Sequence, residues 1–458
     1  MSFDTPLFFV LFAVVFVLLR SLPRLGGLLL LAASVVFYSF AGPLDMMLVL
    51  AMMILNYAIS FGVAKDRRWL AVAVIVNLAV LVFFKYRHFL FPGMAEEIRD
   101  FYQGEIMIPL GISFYVFQAL AYQADLAYGR FPLIRSFWHF ALFILFFPHM
   151  MAGPIVRASI LEPQVARAYT GHLKQRRYWA LGLGLCVLGL AKKVGIADSL
   201  APHVEAVFMH GPANVFSAWL GAALFAFQIY FDFSGYSDIA VGTGYLLGFR
   251  LPINFRQPYL AIDPQGFWQR WHITLSTWIR DYVYIPLGGR RVGGNIQQMA
   301  VLLATMGLAG LWHGANWTFL LWGLFWGAYV GAWRLAAPLL EKLGRGRWLL
   351  HFTVVIVLWV FFRAANVSDA FAFIGGMAGF PQGTYRLAST DTGVLLSSLG
   401  LALLLVSHVA EAWINDFKRV VRLRRWNGPF SWGLLTSLAF WFVMLPKPLA
   451  NPFIYFRF

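Results

Sequence analysis

The sequence predicts an all-α integral membrane protein with many helical spans, and three observations carry that reading. Of 458 residues, 60% are hydrophobic and only 12% charged, with a mean hydropathy of +0.70, whereas soluble domains carry about a quarter charged residues. Charge-free runs recur along the whole chain, at Thr5–Leu19, Leu25–Leu44, Met46–Ala64, Trp69–Phe84, Ile106–Ala124, Ala206–Phe231, Met299–Trp333, Trp348–Phe362, Thr392–Ala410 and Phe430–Pro446. Several approach the roughly 20 residues of a spanning helix, and with shorter interrupted runs they make about a dozen hydrophobic segments. Third, the basic residues collect in short clusters between the runs: Arg20/Arg24, Lys65/Arg67/Arg68, Lys174/Arg176/Arg177, Arg290/Arg291, Arg345/Arg347 and Lys418–Arg425.

The excess of 36 Lys and Arg over 20 Asp and Glu gives +16. Clustered in this way it marks cytoplasmic loops facing anionic lipid in the bilayer, and nucleic acid is not implied. No long polar stretch separates the runs, so residues 1–458 are expected to form a single polytopic membrane domain. No repeat of about 20–50 residues is present. The one cysteine, Cys186, excludes an intrachain disulfide and a cysteine-based zinc site, and no metal is implied.

Residues 1–105 read as plain N-terminal spans ending in an amphipathic stretch, Lys85–Tyr102. Asp4 precedes the first run and no small-residue cleavage site follows it, so the first span is expected to stay uncleaved. Arg20/Arg24 then hold its far end in the cytoplasm, and Lys65–Arg68 fits two crossings later. Lys85 and Arg87 break that alternation. Lys418–Arg425 precedes a last apolar run, which places the C-terminus outside together with the N-terminus. From Pro109 onward Gly, Pro, His and paired polar residues interrupt the runs, as in FPHMMAGPIVR, Phe147–Arg157. Irregular backbone at membrane depth needs a cover of protein or a watery cavity, so residues 106–458 are where a buried chamber is expected.

Asp263–Arg291 reads as a helix cap, an amphipathic helix and a turn. Asp263 caps and Pro264 takes the first helical position. Trp268, Trp271, Leu275, Trp278, Ile279 and Tyr282 follow at helical spacing until Pro286, Gly288 and Gly289. Met299–Trp333 is shorter than the roughly 40 residues of two complete spans, and WHGAN, Trp312–Asn316, interrupts it. Either two short helices meet there or one long helix breaks, and both versions hold His313 inside the membrane.

An intramembrane imidazole usually lines a pathway or a reaction site, which makes His313 the leading candidate; a bond to a neighbouring helix is the alternative. Gly314 and Ala315 allow close approach of backbone or substrate. His272 is either functional or an interfacial polar residue. Arg270, Arg280 and Asp281 either orient an anionic donor or face lipid headgroups. Asp232 and Asp238 sit in the apolar stretch QIYFDFSGYSDIAVG and need partners. Arg250 or Arg256 is expected to supply a structural ion pair. Gly182-x-Gly184 and Gly242-x-Gly244 are explained by helix packing. Asn316-Trp317-Thr318 and Asn366-Val367-Ser368 match the glycosylation pattern, the first too buried to be modified. G-x-S-x-G, H-E-x-x-H and P-loop signatures are absent from the sequence.

FDFSGYSDIAVG, LPINFRQPYLAIDPQGFWQRWHITLSTWIRDYVYIPLGG and GLWHGANWTFLLWG resemble the signature blocks of membrane-bound O-acyltransferases (MBOAT). The similarity extends to FPHMMAGPIVR before them and to WVFFRA and the terminal PFIYFRF after them. Within the family the chain is most similar to the bacterial branch that includes the membrane subunit of alginate O-acetylation. RDYVYIPLGG, Arg280–Gly289, discriminates it from the branch that carries D-alanine to teichoic acids. The resemblance implies a multi-span fold with short or re-entrant helices around a tunnel. It also implies catalytic roles for His313, the histidine of the WHG block, and for His272. Trp312, Asn316, Arg270, Trp271 and Arg280 are the candidates for contact with substrate.

The implied reaction moves an acyl group, most simply acetyl, from acetyl-CoA or another cytoplasmic thioester to a hydroxyl, with no bound cofactor. His313 is expected to act as general base, and His272 or Asn316 to polarise the thioester carbonyl. The acceptor is a periplasmic acetyltransferase partner or a polysaccharide itself, and the implied location is the bacterial inner membrane. D-alanyl transfer in the cell wall is one alternative. A transporter or channel is the rival from another class, since broken helices and midplane polar residues suit it too.

Overall fold

The computed structural model describes Phe3 and residues 5–93, 108–151, 153–173, 178–291, 293–380, 383, 384 and 437. Thr392–Ala410, Phe430–Pro446 apart from Ser437, PFIYFRF, the Lys418–Arg425 cluster, Lys174/Arg176/Arg177 and both termini lie outside them. The regular elements among the described residues are all helices, with no strand. Among the described residues, five helices are long and apolar enough to cross a membrane: Pro43–Lys65, Trp69–Leu90, Trp179–His210, Val215–Leu246 and Gly346–Arg363. Pro6–Ser21 and Pro23–Ser39, bent by 118° at their junction, make a sixth if counted as one span. Pro6 and Pro43 occupy first helical positions, where the missing N–H costs nothing.

The described residues fall into two compact units. One takes those of Met1–Leu190 and Tyr236–Ile253, the other those of Ala191–Gly235 and Asn254–Arg425. In the first, Asn56 and Asn77 join Pro43–Lys65 to the next helix through reciprocal amide bonds of 3.2 and 2.8 Å. Gln123 donates to the Asn56 carbonyl at 2.7 Å and ties in Ile112–Ala127. Trp179–Leu190 and the end of Val215–Leu246 meet at Gly182 and Gly242, where a Cβ on either would press on the other's carbonyl oxygen. These glycines serve helix packing, as their apolar setting predicted. Phe147–Met150 is a four-residue helix and residues 153–157 are non-helical, buried under protein up to Val156 as expected, with the Phe147 N–H donating to Ser34.

Lys85 and Arg87 break the alternation of loop charges for a structural reason. Both are buried: Lys85 Nζ reaches Ser113 Oγ at 3.5 Å, and Arg87 donates to the Phe83 and Phe84 carbonyls. They are interior groups, so the positive-inside rule does not apply to them.

In the second unit the expected partner of Asp232 is corrected. Lys193 Nζ lies 2.6 Å from Asp232 Oδ1 and 2.7 Å from Asp198 Oδ1, while Arg256 is exposed and Arg250 lies over the Tyr178 ring. The cause is local winding. Ala191–Ala197 is π-helical and carries the adjacent Lys192 and Lys193 inward, Lys192 donating to Ser234 at 2.9 Å. Such single-turn widenings insert an extra residue into a helix, and no spacing pattern in the sequence announces them.

Candidate active site

The site is built on a hairpin. Asn295–His313 and Trp317–Leu335 are 19 residues each, about 28 Å at 1.5 Å per residue, so WHGAN is the meeting point of two short helices. Glycines bring the arms together: a Cβ on Gly310 would collide with the Phe319 carbonyl, and one on Gly323 with that of Met306. Gly327 lies similarly over Leu302 and Leu303. This small-residue seam lets backbones approach as in other membrane helix pairs. Gly314 has no room for a side chain either, because the Phe319 ring fills the space.

His313 ends the first arm and is 3% exposed. Its imidazole is enclosed by Trp312, Trp322 and Phe362, with ring centroids at 4.9, 5.2 and 5.0 Å and interplanar angles of 79°, 90° and 71°. Edge-to-face packing on three sides excludes water from the ring and fixes its orientation.

His272 is brought to the same cluster by a break that sequence periodicity concealed. The expected continuous helix over Asp263–Tyr282 is Pro264–Trp268, a bend, Ile273–Ile279 and a π-turn at Arg280–Tyr284. Asp263 does cap it, accepting from Gly266 N at 2.7 Å. His272 sits at the bend with φ +40°, a conformation uncommon for any residue but glycine. The preceding strap imposes it: Arg256 N donates to the Arg270 carbonyl at 2.9 Å and Ile273 N to that of Asn254 at 2.8 Å. Asn254 Oδ1 then accepts from Thr274 N at 3.2 Å and Thr274 Oγ1 at 2.8 Å, and lies 3.2 Å from His272 Nδ1. His272 is 0% exposed and packs on Phe233 at 4.6 Å and Trp312 at 5.9 Å. It lies outside the spanning helices, and burial pushes its imidazole down to about 3. Trp312 thus touches both histidine rings.

The other expected site residues divide. Trp271 is wholly buried in an aromatic core with Phe255, Phe267 and Trp359, the last at 4.8 Å. Trp359 also stacks on Trp322 at 5.7 Å, which links this core to the His313 cage. Asn316 caps the second arm, accepting from Thr318 N at 3.1 Å, and its amide donates to the Ala365 carbonyl at 3.0 Å. Asn366 caps Val367–Met377 in the same way, so both glycosylation-like triplets are helix starts. Arg270 is half-buried; Arg280 is exposed and pairs with its neighbour Asp281 at 2.7 Å. Neither side chain has a ring or polar contact that joins it to the histidine cluster among the described residues.

Sequence reasoning passed over Asn254, Trp322 and Phe362. The last two read as ordinary apolar positions, and nothing in spacing pairs Asn254 with His272. Among the described residues the buried indole N–H groups of Trp271, Trp322, Trp326 and Trp359 have no hydrogen-bond partner. Each such group costs about 1–3 kcal/mol unless something accepts from it, so this cluster is unusually rich in unanswered donors.

Residues 34–367 match the model of the membrane-bound O-acyltransferase family. The chain belongs to that family. It is therefore a multi-pass membrane O-acyltransferase with an acyl donor, as the WHG and RDYVYIPLGG blocks foretold. It is 39% identical to a probable alginate O-acetylase of Azotobacter vinelandii over 430 residues, 90% of this chain and 84% of that one. It is 35% identical to a peptidoglycan O-acetyltransferase of Helicobacter pylori, over 82% of this chain and 80% of that one. A teichoic acid D-alanyltransferase of Bacillus subtilis is more distant, at 28% over 54% of this chain and 65% of its own length.

Proposed function

We propose that the chain is an O-acetyltransferase of the bacterial inner membrane. In this reading it moves acetyl from acetyl-CoA, or another cytoplasmic thioester, toward a cell-surface polysaccharide such as alginate or peptidoglycan. The immediate acceptor is either a sugar hydroxyl or a serine of a periplasmic acetyltransferase partner. The observation that carries the reading is the placement of His313: a histidine at the turn of a buried hairpin, caged by aromatic rings and joined through Trp312 to a second histidine. The two more similar relatives, acetyl-transferring by name, favour acetyl over D-alanyl.

In the step proposed here His313 takes the proton of the acceptor hydroxyl as its oxygen attacks the thioester carbonyl. The C–S bond breaks, the new ester forms, and the imidazolium returns the proton to the departing thiolate. A positioned imidazole contributes about 10²–10⁴-fold to such a step. We assign the chemistry to residues 106–458 of one polytopic domain, with 1–105 as its N-terminal spans. Trp312 lines the reacting centre, Trp271 and Asn316 shape its surroundings, and Arg270 and Arg280 steer the anionic donor.

Orientation follows from the charges at the hairpin's two ends. Arg291 precedes its first arm, and Arg334, Lys342, Arg345 and Arg347 cluster at and beyond the end of its second. These basic groups assign the open end to the cytoplasm and set the His313 turn toward the face from which a surface polymer is reached. In this reading both chain termini face the periplasm, as expected from Arg20/Arg24 and Lys418–Arg425.

The test is acyl transfer by the purified full chain in lipid nanodiscs, offered acetyl and D-alanyl thioesters with a model hydroxyl acceptor. Ester formation from the acetyl thioester, several-fold faster than from the D-alanyl one, is expected. Faster D-alanyl transfer would overturn the acetyl assignment.

A further inference from the structure

We propose that Asn254 is a positioning residue that locks His272 in the Nδ1–H tautomer, so that His272 offers bound substrate a hydrogen-bond acceptor at Nε2 and not a donor. The inference rests on the proposed function only for what His272 faces; the tautomer follows from geometry.

The argument starts at a backbone amide. Thr274 N–H can only donate, and it lies 3.2 Å from the Asn254 side chain, so the atom facing it is the carboxamide oxygen. That settles the orientation of an amide whose two ends are otherwise hard to tell apart. The same oxygen lies 3.2 Å from His272 Nδ1 and accepts from the Thr274 hydroxyl at 2.8 Å. An amide oxygen only accepts, so Nδ1 must carry a proton. Burial disfavours the doubly protonated ring. A neutral imidazole carries one proton; with Nδ1 holding it, Nε2 has only its lone pair. The bend at φ +40° is held by the Asn254 and Arg270 carbonyls, and Phe233 and Trp312 pack edge-on against the ring at 4.6 and 5.9 Å, which opposes its rotation away from Asn254.

The consequence reverses the role suggested by sequence. Polarising a thioester carbonyl or holding an oxyanion needs a donor, and the locked tautomer has none at Nε2. Packed on the Trp312 that also packs on His313, His272 instead accepts from an O–H or N–H of the substrate. It orients the group that His313 activates. Asn254 lies in LPINFRQPY, 18 residues before His272, and acts only through that ring.

The experiment uses full-length protein in nanodiscs, labelled with ¹⁵N at histidine, with His272 assigned by difference against His272→Gln. The expected wild-type spectrum places the His272 proton on Nδ1 with a bare Nε2. Asn254→Asp keeps an acceptor oxygen and should keep both the tautomer and transfer within a few-fold of wild type. Asn254→Leu should release the proton from Nδ1 and lower kcat/KM for the hydroxyl acceptor at least about tenfold, leaving KM for the thioester unchanged. A proton on Nε2 in the wild-type protein overturns the proposal, and so does an Asn254→Leu protein that keeps Nδ1–H. The wild-type spectrum decides even if the Leu variant fails to fold. Absence of acyl transfer by wild type would sink the proposed function, whereas the tautomer is read independently of activity.

Discussion

Asn56 and Asn77 in one unit, and His272 and His313 in the other, are polar side chains buried equally deeply, yet what surrounds them differs. The two amides answer each other and also donate to backbone carbonyls one turn away, at Met52 and Ala73. Interhelical bonds of this kind contribute about 0.6–2 kcal/mol each and need no further partner. The histidines are walled by Trp312, Trp322, Phe233 and Phe362, amid indole donors with no acceptor among the described residues. Burial alone therefore does not mark a site. What marks it is the set of indole N–H groups of Trp271, Trp322, Trp326 and Trp359, which find no acceptor among the described residues.

Lys193 sharpens that distinction, because it lies in the same unit as the histidines yet is fully answered by Asp198 and Asp232. Lys193→Ala removes the cation that Asp198 and Asp232 share. It should destabilise the protein by about 3–5 kcal/mol, seen as a large loss of Tm and yield, with specific activity of the surviving fraction unchanged. A stable Lys193→Ala protein that is inactive would instead make the lysine part of the chemistry.

The second contrast sets one residue from each region against the other. Asn77→Ala should cost about 1–2 kcal/mol of stability and leave transfer intact. Trp322→Phe keeps a ring against His313 but removes an N–H that has no acceptor among the described residues. Its Tm should hold while kcat/KM falls several-fold. Equal losses of Tm in both variants would erase the difference between the two regions.

The elements of this contrast were unevenly legible in the sequence. The spans, the hairpin break at WHGAN and the Asp263 cap follow from hydropathy and local turn chemistry, which act over a few residues. His313 stood out because an imidazole amid 19-residue apolar arms is costly by itself. The bend at His272 was hidden because Trp268, Trp271, Leu275 and Trp278 keep helical spacing across it; it is held by the segment Asn254–Arg256 through tertiary hydrogen bonds. The Lys193 pairing was hidden for a similar reason, since a π-turn changes which residues share a face. Asn316 was open to a better reading: an asparagine just before an apolar helix is first of all an N-cap.

The smallest effect concerns the donor. Arg270→Ala and Arg280→Ala should each raise KM for an anionic thioester by about fivefold at low ionic strength, with little change in stability or kcat. Unchanged KM in both would leave these arginines as lipid-facing anchors.

The most direct measurement of the central claim is transfer by His313→Gln. Glutamine keeps a hydrogen-bonding side chain of similar reach and cannot accept a proton near neutral pH. The expected protein is folded, inserted and able to bind the thioester, with acetyl transfer reduced at least about 10²-fold. Substantial transfer by a well-folded His313→Gln protein would contradict the assignment of His313 as the base.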